Sequence, residues 1–85
     1  MNPYEIAAEM LGDVTLSSWQ VAELRAIDRK YQQRLFTLLH RGGDRAGPGA
    51  EGAVTAEEAA ELRHRVVTDI LAMLTPEQRR ILDQR

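Results

Sequence analysis

Between Leu16 and Arg41 the chain reads LSSWQVAELRAIDRKYQQRLFTLLHR. Apolar residues recur at Val21, Leu24, Ile27, Tyr31, Leu35 and Leu38. Steps of three and four put such residues on one side of a helix, so the spacing predicts a single long amphipathic helix over residues 17–41 with this stripe buried. Ser17 is placed to cap its first turn, and Gln20, three residues on, to reach back to the cap's own N–H. The last turns carry Leu35, Phe36, Leu38 and Leu39, an apolar surface wider than one partner helix covers. Gly42-Gly43 ends the run.

Three further start signals surround this segment. Asn2-Pro3-Tyr4-Glu5 combines a cap, a proline at the first helical position and an acid that completes a capping box. It opens a short helix over 3–11 whose inward face is expected to hold Tyr4, Ala7, Ala8 and Leu11, with Ile6 and Met10 adjacent and Gly12 as the stop. Thr55 with Glu58 opens a helix over 56–73, its stripe formed by Ala59, Leu62, Val66, Ile70 and Met73. Thr75-Pro76-Glu77-Gln78 opens a last helix over 76–84, where Ile81 and Leu82 make a small apolar side. Residues 42–54 contain five glycines and a proline, the composition of a flexible loop that reverses the chain. No strand pattern occurs. The expected fold is therefore all-α, one helical domain over 1–85: a long antiparallel helical hairpin with short flanking N- and C-terminal helices.

Composition narrows the function. At 85 residues with a formal charge of −2, the chain lacks the positive excess of a nucleic-acid binder. It contains no cysteine, so disulfides and thiolate metal sites are unavailable. No apolar run approaches the roughly 18 residues of a membrane span. The opening MNPYEIAAEMLGD carries acids instead of a basic, apolar export signal, and the expected location is the cytoplasm or the cytoplasmic face of a membrane complex. Any membrane association is then peripheral.

Two helix starts share a longer pattern. Leu16-Ser17-Ser18-Trp19-Gln20 and Leu74-Thr75-Pro76-Glu77-Gln78 both read Leu-Ser/Thr-x-x-Gln and lie 58 positions apart. The first continues through Leu24-Arg25, Ile27 and Tyr31, and the second through Arg79-Arg80 and Leu82. Over roughly residues 14 to 85 the chain resembles the LTxxQ-motif family, which includes Spy- and CpxP-like periplasmic stress chaperones and related metal-resistance proteins. The resemblance implies a long antiparallel helical hairpin, often dimeric, with a concave apolar and basic surface that holds client proteins. It also implies that Leu16, Ser17, Gln20, Leu74, Thr75 and Gln78 fix helix starts. Family members are exported, and an acidic first helix has no counterpart in that pattern.

Little in the sequence points to catalysis. His40 and His64, with Glu61 one turn before His64, are the residues from which a two-histidine carboxylate metal site would be built. They sit on separate helices without the i, i+4 spacing of a zinc-binding helix, so surface positions, no metal and no cofactor are expected. The glycines follow no strand and do not read as a phosphate cradle. Ser17 and Ser18 have no neighbouring base. The most distinctive polar feature is the basic flank Arg25, Arg29, Lys30 and Arg34. It serves either as a solvated face paired with Glu57, Glu58 and Glu61, or as a docking surface for an acidic partner or anionic headgroups. Trp19 stands off the main stripe, either packed beneath the first helix or, with Leu35, Phe36 and Leu39, part of an exposed contact surface. The expected function is non-enzymatic: a protein–protein interaction module, such as a small accessory subunit of a larger assembly, or a homodimer. An ATP-independent holdase chaperone or stress- or metal-response protein is the alternative.

Overall fold

The computed structural model describes residues 2–40 and 54–84. They form four α-helices, α1 (Pro3–Leu11), α2 (Ser18–His40), α3 (Ala56–Met73) and α4 (Pro76–Asp83). No strand occurs among the described residues. The fold is all-α. The glycine-rich segment expected over 42–54 lies, Val54 apart, outside the described residues, as does Arg41.

Each helix begins where a side chain takes up orphan N–H groups of the first turn. Asn2 Oδ1 accepts from Glu5 N at 2.9 Å and Thr55 Oγ1 from Glu58 N at 3.0 Å. In both boxes the glutamate returns the bond, accepting from the cap's backbone N–H at 3.3 and 3.0 Å. Pro3 and Pro76 stand at the head of α1 and α4, where the missing N–H costs nothing. α1 ends at Gly12, whose φ of 57° with ψ of −114° lies outside the regions open to a residue with a Cβ. The Gly12 N–H closes on Ala8 O at 3.0 Å, and the chain turns sharply toward α2.

α2 and α3 lie side by side with opposite chain directions. Gln20, in the first turn of α2, bonds to Met73 O at the end of α3. At the other end Arg34 and Leu38 face Glu58, Glu61 and Leu62 across an open groove. α1 packs against both helices, with Ile6 beside Tyr31 and Leu35 of α2 and Ala59 and Arg63 of α3. The core is built there, from Ile6, Ala7 and Leu11 of α1, Leu24 and Ile27 of α2, Val66, Ile70 and Met73 of α3, and Leu74 just beyond. Ile70 is completely enclosed. Tyr31, Leu35 and Leu38 are only half-buried; Ile6 of α1 reaches the first two, and Leu38 lies on the open groove beyond. None of α4 is buried; Leu82 is half-buried against the core.

The buried faces are rotated from the expected ones in three places. On α2 the first buried position is Gln20, at 1% exposure, and Val21 is 39% exposed. Gln20 lies four residues before Leu24 and seven before Ile27, so it continues the buried phase that Val21 misses. On α1, Pro3, Ile6, Ala7 and Leu11 face inward while Tyr4 and Ala8 are exposed, because the proline wedges its ring into the core. On α3, Ala59 is exposed, and the stripe runs from Leu62 through Val66 and Ile70 to Met73.

Because the core is small and centred on one residue, Ile70→Ala should destabilise the fold by roughly 2–5 kcal/mol. Urea denaturation followed by circular dichroism measures this. A loss below about 1 kcal/mol would mean that Ile70 is not the centre of the packing.

Candidate functional site

The two Leu-Ser/Thr-x-x-Gln segments meet. Each forms a capping box of its own: Ser17 Oγ accepts from Gln20 N at 3.3 Å, and Thr75 Oγ1 from Gln78 N at 3.1 Å. Each glutamine Oε1 accepts from its own cap's backbone N–H at 2.9 Å, Ser17 N to Gln20 and Thr75 N to Gln78. The two amides then bond to each other. Gln20 Nε2 donates to Gln78 Oε1 at 2.6 Å, and Gln78 Nε2 donates to Gln20 Oε1 at 3.1 Å. The second hydrogen of each Nε2 goes to a backbone carbonyl, Gln20 to Met73 O at 3.0 Å and Gln78 to Thr15 O at 2.9 Å. Thr15 and Met73 each stand two residues before a cap, so the arrangement has local two-fold symmetry. All donors and acceptors of both amides are used. The cap N–H groups also fix which way each amide points, since only an oxygen accepts from them.

This explains a choice of residue that a capping box alone leaves open. Glutamate and glutamine serve equally at the third helical position, and the boxes of α1 and α3 use Glu5 and Glu58. The boxes of α2 and α4 use glutamine because a carboxylate has no hydrogens for the partner amide or for the carbonyls of Met73 and Thr15. Leu16 and Leu74 flank the joint, Leu16 half-buried and Leu74 buried in the core.

The remaining candidates lie along α2. Trp19 is 55% exposed and does not pack beneath α1, because Gln20 takes the inward position beside it. Arg25, Arg29 and Lys30 are exposed, and Arg34 is half-buried on the groove wall. Among the described residues none of these four forms an ion pair. The expected pairing with the acidic start of α3 is not made: Glu61 pairs with Arg65 on its own helix at 2.9 Å, and α1 joins α3 through Glu9 and Arg63 at 3.8 Å. Leu35 is half-buried, whereas Phe36 is 62% exposed and Leu39 is exposed. The Phe36 ring stacks on His40, with centroids 4.0 Å apart and the planes 24° off parallel. His40 Nδ1 lies 2.8 Å from Phe36 O.

Between the far halves of α2 and α3 runs the groove of about 790 Å³, with Leu38 and Leu62 in its walls and Glu57, Glu58 and Glu61 along the α3 side. His64 is exposed on α3. Among the described residues no three histidine or carboxylate side chains come together as a metal site would require, and no helix is long and apolar enough to cross a membrane. Comparison with protein-family models, curated proteins and solved structures found no match to this chain.

Gln20→Ala removes a buried partner from Met73 O, Ser17 N and Gln78 together, and is expected to cost roughly 2–3 kcal/mol. Gln78→Glu keeps the capping acceptor but loses both Nε2 donors. It should lower Tm by roughly 10 °C, since about 1 kcal/mol shifts a domain of this size by 4–8 °C. A double-mutant cycle on Gln20→Ala and Gln78→Ala should return a coupling of at least about 1 kcal/mol. Additive losses would mean that the two caps act independently.

Proposed function

We propose that this protein is a non-enzymatic protein–protein interaction module, a small accessory subunit that docks on a larger assembly through α2. Membrane complexes approached from their cytoplasmic face are among the assemblies such a subunit would serve. The observation that carries this reading is the outer surface of α2. Phe36 and Leu39 are exposed at one end of a helix whose Arg25 and Arg29 have no ion pair among the described residues. Exposed aromatic and aliphatic side chains next to cations are the raw material of a contact surface, apolar for affinity and charged for specificity. Among the described residues the best-connected polar side chains, Gln20 and Gln78, hold helices together.

A second reading has its own support. The reciprocal Gln20–Gln78 joint gives the two Leu-Ser/Thr-x-x-Gln segments a common structural purpose, which favours an LTxxQ-type architecture. In that reading α2 and α3 form a long antiparallel hairpin flanked by α1 and α4, and the protein is an ATP-independent holdase.

Gentle extraction of the native species, followed by size-exclusion chromatography and mass spectrometry, separates the two. An accessory subunit should elute with a larger complex. A free monomer or homodimer that suppresses aggregation of an unrelated client without ATP would instead establish the holdase.

A further inference from the structure

The candidate contact residues of α2 do not share one face. At about 100° per residue, Val21, Arg25, Arg29, Gln32, Phe36 and Leu39 fall within a sector of roughly 80°, in steps of four, four, three, four and three. All six are exposed. Lys30 and Trp19 lie roughly 100° or more from the centre of this strip, and Arg34 is turned onto the groove wall. The strip therefore has apolar ends, Val21 at one and Phe36 with Leu39 at the other, and between them two arginines that form no ion pair among the described residues. Half-buried Asp28, at its edge, is the nearest acid on the same helix.

We propose that this strip receives an acidic amphipathic helix of a partner protein, with apolar anchors at its two ends and carboxylates at its centre. The proposal rests on the interaction-module reading above and adds the kind of partner. Three features select this occupant. A stripe with steps of three and four on a straight helix matches the side-chain ridge of a second helix laid along it. The central arginines match carboxylates, and a guanidinium holds a carboxylate through two parallel N–H bonds. The span from Val21 to Leu39 is roughly 27 Å at 1.5 Å per residue, the length of an ordinary helix of about 18 residues.

The competing occupants fit less well. A second copy using the same strip about a two-fold axis would set the midpoint near Lys30, bringing Arg29 of each copy toward the other. Like charges brought together at an interface oppose it. An anionic bilayer prefers one continuous apolar wedge flanked by cations. Here Arg25, Arg29 and Gln32 separate the apolar ends.

The test uses the full chain and synthetic helical peptides of about 20 residues, with leucines at both ends of one face and glutamates between them. A lysine-for-glutamate version is the control. Binding is measured by isothermal titration calorimetry, with circular dichroism to verify that each variant stays folded. The acidic peptide should bind, and the basic one should bind at least tenfold more weakly. Arg29→Glu and Phe36→Ala should each weaken the acidic peptide tenfold or more. Lys30→Glu, the same charge change one residue away but off the strip, should alter binding by less than about threefold.

Equal losses from Arg29→Glu and Lys30→Glu would overturn the strip in favour of bulk charge. So would equal binding of both peptides. Association with equimolar phosphatidylcholine–phosphatidylserine vesicles without peptide binding would assign the surface to membranes. A doubled mass in solution that the peptide does not disperse would assign it to a second copy. Absent peptide binding while the chain still elutes with a larger complex would overturn this partner and leave the interaction module standing. Loss of both would remove the module as well.

Discussion

Six hydrogen bonds of two glutamine side-chain amides join the start of α2, the start of α4 and the end of α3. Gln20 is the one polar side chain buried among the described residues, and an amide in that position is tolerable only when every donor and acceptor is used. The joint meets this condition through symmetry, each amide completing the other's set. Apolar packing is indifferent to small slides and rotations, whereas this pattern admits one register. A small core thereby acquires a polar key that fixes where α4 sits against α2.

The remaining architecture follows from where that joint and α1 lie. The joint closes one end of the α2–α3 pair and α1 covers it as far as Tyr31 and Leu35, so burial is concentrated there and the stretch beyond is left with half-buried Leu38 and an open groove. The protein has a packed end and a presenting end. Among the described residues Arg34 makes no ion pair with Glu61 across the groove, because Glu61 finds Arg65 one turn away on its own helix at far less conformational cost.

Much of the fold was readable from residues alone. All four helix starts carry capping boxes that side chains and backbone complete as expected, and the periodicity of α3 from Leu62 to Met73 locates its buried face. The differences share one cause. Hydrophobicity alone puts Val21 inside, whereas helical phase gives the buried position to Gln20, which completes its capping box as well. The signal is present: Gln20 stands in step with Leu24 and Ile27, and two of four boxes use glutamine where the cap alone accepts glutamate equally. Hydrophobicity likewise points Tyr4 inward, although Pro3 and Ile6 set the phase of α1 and leave Tyr4 exposed. The separation of Arg29 from Lys30 onto different sectors was also latent in helical geometry. It becomes meaningful only once the buried face, and hence the outer one, is known.

α4 is tied to the rest by little more than Gln78 and the half-buried Leu82. Protein segments with few buried contacts open at free energies well below that of global unfolding. When α4 lifts away, Gln20 keeps its bonds to Met73 O and Ser17 N but loses the other amide, and water reaches the edge of the core at Leu74. Access of proteases and of exchanging solvent to that edge is then governed by a local equilibrium, set by one side chain pair, instead of by the stability of the three-helix body.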